Sequence, residues 1–415
     1  MSRSLRTGSY LLDPRPLRIP AYRRLWIASV ISAVGGSFSL IAIPSQLFAL
    51  TGSSSTIAVA SATSFVALAV ASLWGGALAD TMDRRRLLLL AHTLQALIYL
   101  LLWALATRET PSLAALMVLV GAQGLAFGAS MTITGATVPR VVPPELLPAA
   151  TSLSSLVRYT GSIIGPLLAG LLIPAVGLGP LYLCDTIALT AVLWAVFRLP
   201  PIPPVPRPVG RPLIGQVIDG FGYLFAQPVL VAVLAVDLAA MVFGMPVALF
   251  PELAHRLYGG PAEGGPVLGL LYAAYPTGVL LAGLLSGTFT HARRHGAWMA
   301  SAAIAWGLTV VLFGLTPHLA PALIALTVGG AVNVVLSTFR NVITQAHTDD
   351  ALRGRTQGSL TIVLVGGPQL SSVLHALAGS AIGARWAVCL GGLLTMAAVT
   401  AIVRAVPYLW RYPTV

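Results

Sequence analysis

Twelve apolar runs, each long enough to cross a bilayer and parted by short polar turns, decide what this chain can fold into. A helix needs about 20 predominantly apolar residues to span the hydrocarbon layer. Such segments fall near 25–49, 57–79, 87–107, 111–137, 149–174, 179–198, 229–256, 265–289, 297–316, 320–345, 355–381 and 384–405, numbered here as spans 1 to 12. Only 9% of the 415 residues are charged and 57% are hydrophobic. In water that balance would expose more apolar surface than a soluble monomer tolerates. The expected class is an all-α, multi-pass membrane protein whose main partner is the lipid bilayer. Span 1 follows an arginine-rich arm and has no small-residue cleavage site, so it reads as a retained helix, not a signal peptide.

Every basic side chain is arginine, 24 in all, and lysine is absent. Without lysine there is no Walker A loop and no pyridoxal Schiff base. H-E-x-x-H, C-x-x-C and G-x-S-x-G are missing too, so neither enzyme activity nor a resident cofactor or metal is expected. His291 and His295 in "HARRH" have a metal-compatible spacing, but two arginines between them repel a cation, and a solvated turn is the better reading. Cys184 and Cys389 lie inside apolar runs and suggest no disulfide.

The net charge of +12 follows a topology rule and not a nucleic-acid stripe. Arg3, Arg6, Arg15, Arg18, Arg23 and Arg24 precede span 1. Alternate connections carry Arg84–Arg86, Arg140, Arg198 with Arg207 and Arg211, Arg293 with Arg294, and Arg353 with Arg355. The tail adds Arg404 and Arg411. The opposite connections hold only Arg108, Arg256 and Arg385. Both termini are therefore expected in the cytoplasm, in a plasma or inner membrane.

The longest connection divides the chain into six-span halves, 1–199 and 229–415. Its proline-rich start reads as an extended linker. Leu213, Val217, Phe221 and Phe225 then share one face of a short amphipathic helix within 200–228. Two six-helix halves are a recurring transporter layout. The turn "GGALADTMDRRR" (75–86) finds a faint echo in "SGTFTHARRHG" (286–296).

That first turn carries the sharpest motif. Gly75 and Gly76 allow a neighbouring backbone close, and Asp80 can meet a helix N-terminus or an arginine. Gly76, Leu78, Ala79, Asp80, Arg84 and Arg85 resemble the loop 2–3 signature of the major facilitator superfamily, with Thr81 and Asp83 departing from it. The plainer alternative is that this charge only fixes topology. In span 5, "RYTGSIIGPLLAG" (158–170) places Gly161, Gly165, Pro166 and Gly170 as in that family's antiporter motif, with Ala169 for one glycine. Acidic Asp83, "IPSQ" (43–46), "FGYLFAQPVL" (221–230), "GLLYAAYPTG" (269–278) and "TDDALRGRTQG" (348–358) are together similar to the enterobactin-exporter branch.

The resemblance implies the major facilitator fold and proton-coupled antiport of a siderophore-like or lipophilic small molecule out of the cell, by a chain working as a monomer. Alternatives are a multidrug efflux pump, or a transport-inactive sensor or assembly partner. Charges at membrane depth are costly and mark function. Asp237 in span 7 and Asp185 in span 6 are the candidate proton carriers. Asp237 is favoured because Gly244 and Pro246 interrupt the helix just beyond it, with static pairing to an arginine as its alternative. Asp185 reads rather as an ion pair or helix cap. Arg158 and Arg340 are candidates for an anionic substrate or for pairing with an aspartate, although both lie close enough to the cytoplasmic end to snorkel. Gln46, Gln123, Asn333 and Gln369 are candidate path residues, or else interhelical hydrogen-bond partners.

Overall fold

The computed structural model describes residues 13–203, 222–285, 294–348 and 353–412. Within these ranges, side chains at the span 2–3 corner (Gly76 and Asp80 among them) and over 353–363 lie outside the description. The surface helix expected around Leu213, Val217 and Phe221, the turn carrying His291, and most of 348–358 fall there too. Of the surface segment, Phe225 is described and is exposed, while Leu224 is buried with Leu230.

Span 1 is two helices, α1 (Pro20–Gly35) and α2 (Ser39–Thr51), parted by a three-residue break. Spans 2 to 6 are α3 (Ser54–Thr81), α4 (Arg84–Ala106), α5 (Leu113–Val141), α6 (Leu147–Val176) and α7 (Gly179–Phe197). Span 7 is interrupted as the sequence implied: α8 (Pro228–Gly244) stops before Pro246, a single 3-10 turn follows, and α9 (Phe250–Arg256) resumes. A proline lacks the N–H that a continuous helix needs there. Spans 8 to 12 are α10 (Pro266–Leu284), α11 (His295–Leu315), α12 (Leu319–Ala346), α13 (Arg353–Ile382) and α14 (Ala384–Ala405). Eleven helical segments are apolar and long enough to cross a membrane by composition among the described residues; the twelfth expected span, α13, is described only in part. Leu90, Val118, Trp74, Trp194 and Leu284 stand exposed on the outside, which only a lipid surround makes tolerable. Trp103, by contrast, packs partly against the core.

The internal repeat is plain in the packing. In the first half α3 lies on α5, α4 on α7, and α1 on both α6 and α7. In the second, α10 lies on α12, α11 on α14, and α8 on both α13 and α14. Adding six to each span number converts one set into the other. The contacts between halves obey the same rule, because α6 meets α10 and α3 meets α13. Glycine sets several of these distances. A Cβ on Gly128 would come 2.5 Å from the Leu68 carbonyl oxygen, and one on Gly75 3.3 Å from Ala129 Cα, so α3 and α5 pack backbone to backbone.

Candidate functional site

Asp237 and Arg340 meet at the centre of the second half. Arg340 Nη1, on α12, donates to Oδ1 of Asp237 at 2.9 Å and to Oδ2 at 3.0 Å, and both residues are buried. Arg340 also reaches Asn341 Oδ1. The structure thus brings together two residues that the sequence singled out separately. A buried ion pair costs desolvation at both ends; here Nη1 alone bridges the two carboxylate oxygens, while Nε and Nη2 are taken up by Asn341.

Asp185 occupies a different setting. It is fully buried, and its two oxygens accept the backbone N–H groups of Phe38 (3.2 Å) and Ser39 (2.8 Å). These are the first free N–H groups of α2, so Asp185 caps the second helix of the broken span 1 from across the half. Around it gather Tyr182, whose hydroxyl donates to Gln46 Oε1 at 2.8 Å, and Tyr99, which faces Ser39, Gln95 and Gln123. Gln46 is therefore an interhelical hydrogen-bond partner. Gln123, Asn333 and Gln369 are half-buried, and Arg158 is exposed with its guanidinium 5.4 Å from the Tyr159 ring centroid.

The span 5 glycines rest on that same break. A Cβ on Gly161 would lie 2.5 Å from the Ala33 carbonyl oxygen, and one on Gly165 2.5 Å from Ser37 Cβ. Further along α6, Gly170 meets the backbone of Gly265 and Gly269 on the α10 side, while a Cβ on Gly269 would lie 2.5 Å from the Pro166 carbonyl oxygen. The motif thus does two things: its first glycines seat the break in span 1, and Pro166 and Gly170 close one half against the other. Span 11 mirrors this at the break in span 7. Gly367 faces Met241, and Ser371 Oγ donates to the Met245 carbonyl at 2.8 Å.

The end of the bundle with few arginines carries a polar clasp. Ser54 Oγ donates to Glu252 Oε2 at 2.6 Å. Arg256 Nη1 donates to Glu252 Oε1 and its Nη2 to the Gly52 carbonyl, both at 3.0 Å. Gly52 takes φ 63°, a left-handed helix terminus that glycine reaches without strain. The clasp joins α9 to the α2–α3 corner and so joins the two halves. Sequence reasoning noted Arg256 only for topology and passed over Glu252. The i, i+4 spacing in "ELAHR" was the available signal.

At the other end, Asp83 begins α4. Its Oδ1 accepts the Arg86 N–H and its Oδ2 the Ile202 N–H, while the Arg84 N–H returns to the Ile202 carbonyl. Arg85 donates to the Phe197 carbonyl and lies 5.4 Å from that ring's centroid. Asp83 therefore ties the start of the central linker to the span 2–3 turn, a role the motif alone did not reveal. Among the described residues no cluster of histidine, cysteine and acidic side chains has the makings of a metal site.

Two pseudo-equivalent six-helix halves, a buried ion pair and a buried carboxylate cap at membrane depth, and a glycine-lined contact between the halves define a multi-pass membrane transporter of the major facilitator fold. Residues 14–409 match the family described as transmembrane secretion effector, and the chain belongs to that family. It is 29% identical over 367 residues to the enterobactin exporter EntS of Shigella flexneri, covering 88% of this chain and 87% of that one. It is 30% identical over 369 residues to the EntS of Escherichia coli O81 (strain ED1a), with the same shares covered. Among solved structures it is similar to the nucleoside transporter NupG, with a TM-score of 0.72 and 14% identity over 94% of this chain and 99% of that one. It is similar also to a bacterial homologue of the human lysosomal transporter Spinster in an inward-facing, unoccupied conformation, with a TM-score of 0.71 and 14% identity over 96% of this chain and 97% of that one. These relatives are transporters and not enzymes. The sequence relatives are exporters of a small molecule, which supports export for this chain and residence in the inner membrane.

Proposed function

We propose that this chain is a proton-coupled antiporter that moves a siderophore-like or related lipophilic small molecule out of the cell, working as a monomer with both termini in the cytoplasm. The observation that carries the reading is the seal at the arginine-poor end, where the Gly170–Gly265 backbone contact and the Glu252–Arg256 clasp hold the halves together. With arginine-rich turns inside, that seal would face outward, and in this reading the cargo loads from the cytoplasm. Similarity to enterobactin exporters along 88% of the chain supports a catecholate-bearing or similar cargo.

In this reading the span 2–3 turn (Gly76, Asp80, Arg84, Arg85) gates the cytoplasmic end, and Gly161, Gly165, Pro166 and Gly170 carry the rocking surface. Asp237 and Asp185, both buried, are the candidate proton carriers. Gln46, Gln123, Arg158, Asn333, Arg340 and Gln369 border the path. Arginine suits a catecholate through charge and ring stacking. The test compares a deletion strain with its complemented parent under iron limitation, profiling medium and cells by mass spectrometry with and without a protonophore. Loss of a chelator from the medium, its build-up inside, and collapse of export by the protonophore are expected. Unchanged chelator profiles alongside sensitivity to lipophilic toxins would point to drug efflux instead, and export indifferent to the protonophore would refute the coupling.

A further inference from the structure

Asp185 in span 6 and Asp237 in span 7 are both buried but not equivalent, and the difference bears on which one moves a proton. Asp237 is bound by a guanidinium on both oxygens. Protonating it would leave the Arg340 charge unpaired at membrane depth, an expensive outcome. Among the described residues Asp185 has no ion-pair partner. What holds its charge is the N-terminus of α2, through the backbone N–H groups of Phe38 and Ser39 at a break in the chain and through the Ser39 hydroxyl.

We propose that Asp185 is the coupling carboxylate, and that the break in span 1 is the hinge it operates. This deepens the proton-coupled reading and rests on it. Ionised, Asp185 accepts two N–H bonds and the partial positive charge of the helix end, and pins α2 where the outer seal needs it. A proton added to one oxygen removes the charge that the helix end attracts and turns one acceptor into a hydroxyl. The cap weakens and α2 is released at Gly36–Phe38. The same α2 ends in the Gly52 carbonyl that Arg256 grips, so release at one end of the helix reaches the clasp at the other. Gly161 and Gly165 lie behind the break without a side chain, so the hinge packs directly on the bare backbone of α6 with no side chain to catch on as it moves. No bond other than the O–H forms, and the proton leaves by the same oxygen when the cap re-forms.

The titratable groups facing Asp185 are Tyr99 from α4 and Tyr182 and Cys184 from its own helix. From α1 and α2 come Gly35 near the Cys184 carbonyl and the Phe38–Ser39 backbone. Through the Tyr99 hydroxyl, Gln95 and Gln123 give this pocket polar neighbours on α4 and α5. Among the described residues the break in span 7 carries no such carboxylate cap: Ser371 Oγ donates to the Met245 carbonyl there and lies 3.1 Å from Nδ1 of the buried His375.

The test needs no cargo. The full chain, with Cys184 and Cys389 replaced by serine, carries spin labels at Glu109→Cys and His318→Cys, two exposed positions in the arginine-poor turns of opposite halves. Distances between them are followed against pH in lipid nanodiscs. The parent should lengthen its label distance as pH falls. Asp185→Asn, which keeps a good helix cap but cannot change charge, should lose the pH response. Asp185→Glu should keep a response with a displaced midpoint, and the double variant Asp237→Asn with Arg340→Gln, which removes the other carboxylate without stranding its partner charge, should still respond to pH. A pH response surviving in Asp185→Asn, or vanishing in the double variant alone, would overturn the assignment while leaving proton coupling intact. A parent indifferent to pH would defeat the coupled reading and this inference with it.

Discussion

At the scale of single residues, the Asp237–Arg340 pair makes the sharpest energetic forecast. Removing one member leaves a buried charge uncompensated, which typically costs about 3–5 kcal/mol, whereas removing both is far milder. Asp237→Asn should therefore lower the thermal unfolding midpoint of the detergent-solubilised chain strongly. The double variant Asp237→Asn with Arg340→Gln should recover most of the loss. Equal destabilisation in both would mean that the two side chains do not depend on each other. The sequence exposed both residues as charges at depth but could not pair them. They lie 103 positions apart, on helices whose adjacency only the fold determines.

At the scale of the element, a helix that stops and restarts is worth more than its continuous neighbours. Span 7 announced its interruption through Gly244 and Pro246. Span 1 did not: its break spans Gly36 to Phe38, with the proline of that span, Pro44, lying inside α2. Glycine and serine are common in membrane helices without breaking them, and what breaks this one is the distant Asp185 offering its carboxylate to the second half. The span 5 motif was legible as small residues at fourfold spacing, but its partner was not, because a glycine face advertises closeness without saying to what. Gly161→Val should push into the Ala33 carbonyl and abolish export in the iron-limited assay while the chain still reaches the membrane. Gly135→Ala, with open space around its Cβ, should export normally. Normal export by Gly161→Val would remove the motif from the mechanism.

At the scale of the whole molecule, hydropathy sufficed for the all-helical, multi-pass architecture, and arginine placement carries the expected sidedness. They could not show which end of the bundle is closed. That depends on a few contacts between halves, chiefly Glu252 and Arg256 with Ser54 and Gly52. Exposed ion pairs contribute little, but Glu252 is mostly buried and serves a hydroxyl and a guanidinium together. Glu252→Gln should loosen the outer end and lengthen the Glu109–His318 label distance at every pH, without abolishing the pH response. An unchanged distance would show that the glycine contact alone keeps the seal.

The meeting of Gly170 with Gly265 and Gly269 has a consequence for how such a protein can change its trade over evolutionary time. The bolt is bare main chain on bare main chain, so it is indifferent to the chemistry of whatever passes. Side chains lining the route are then free to drift toward new cargoes without the door having to be rebuilt. A lineage that inherits this closure can diversify in what it secretes while keeping one way of shutting.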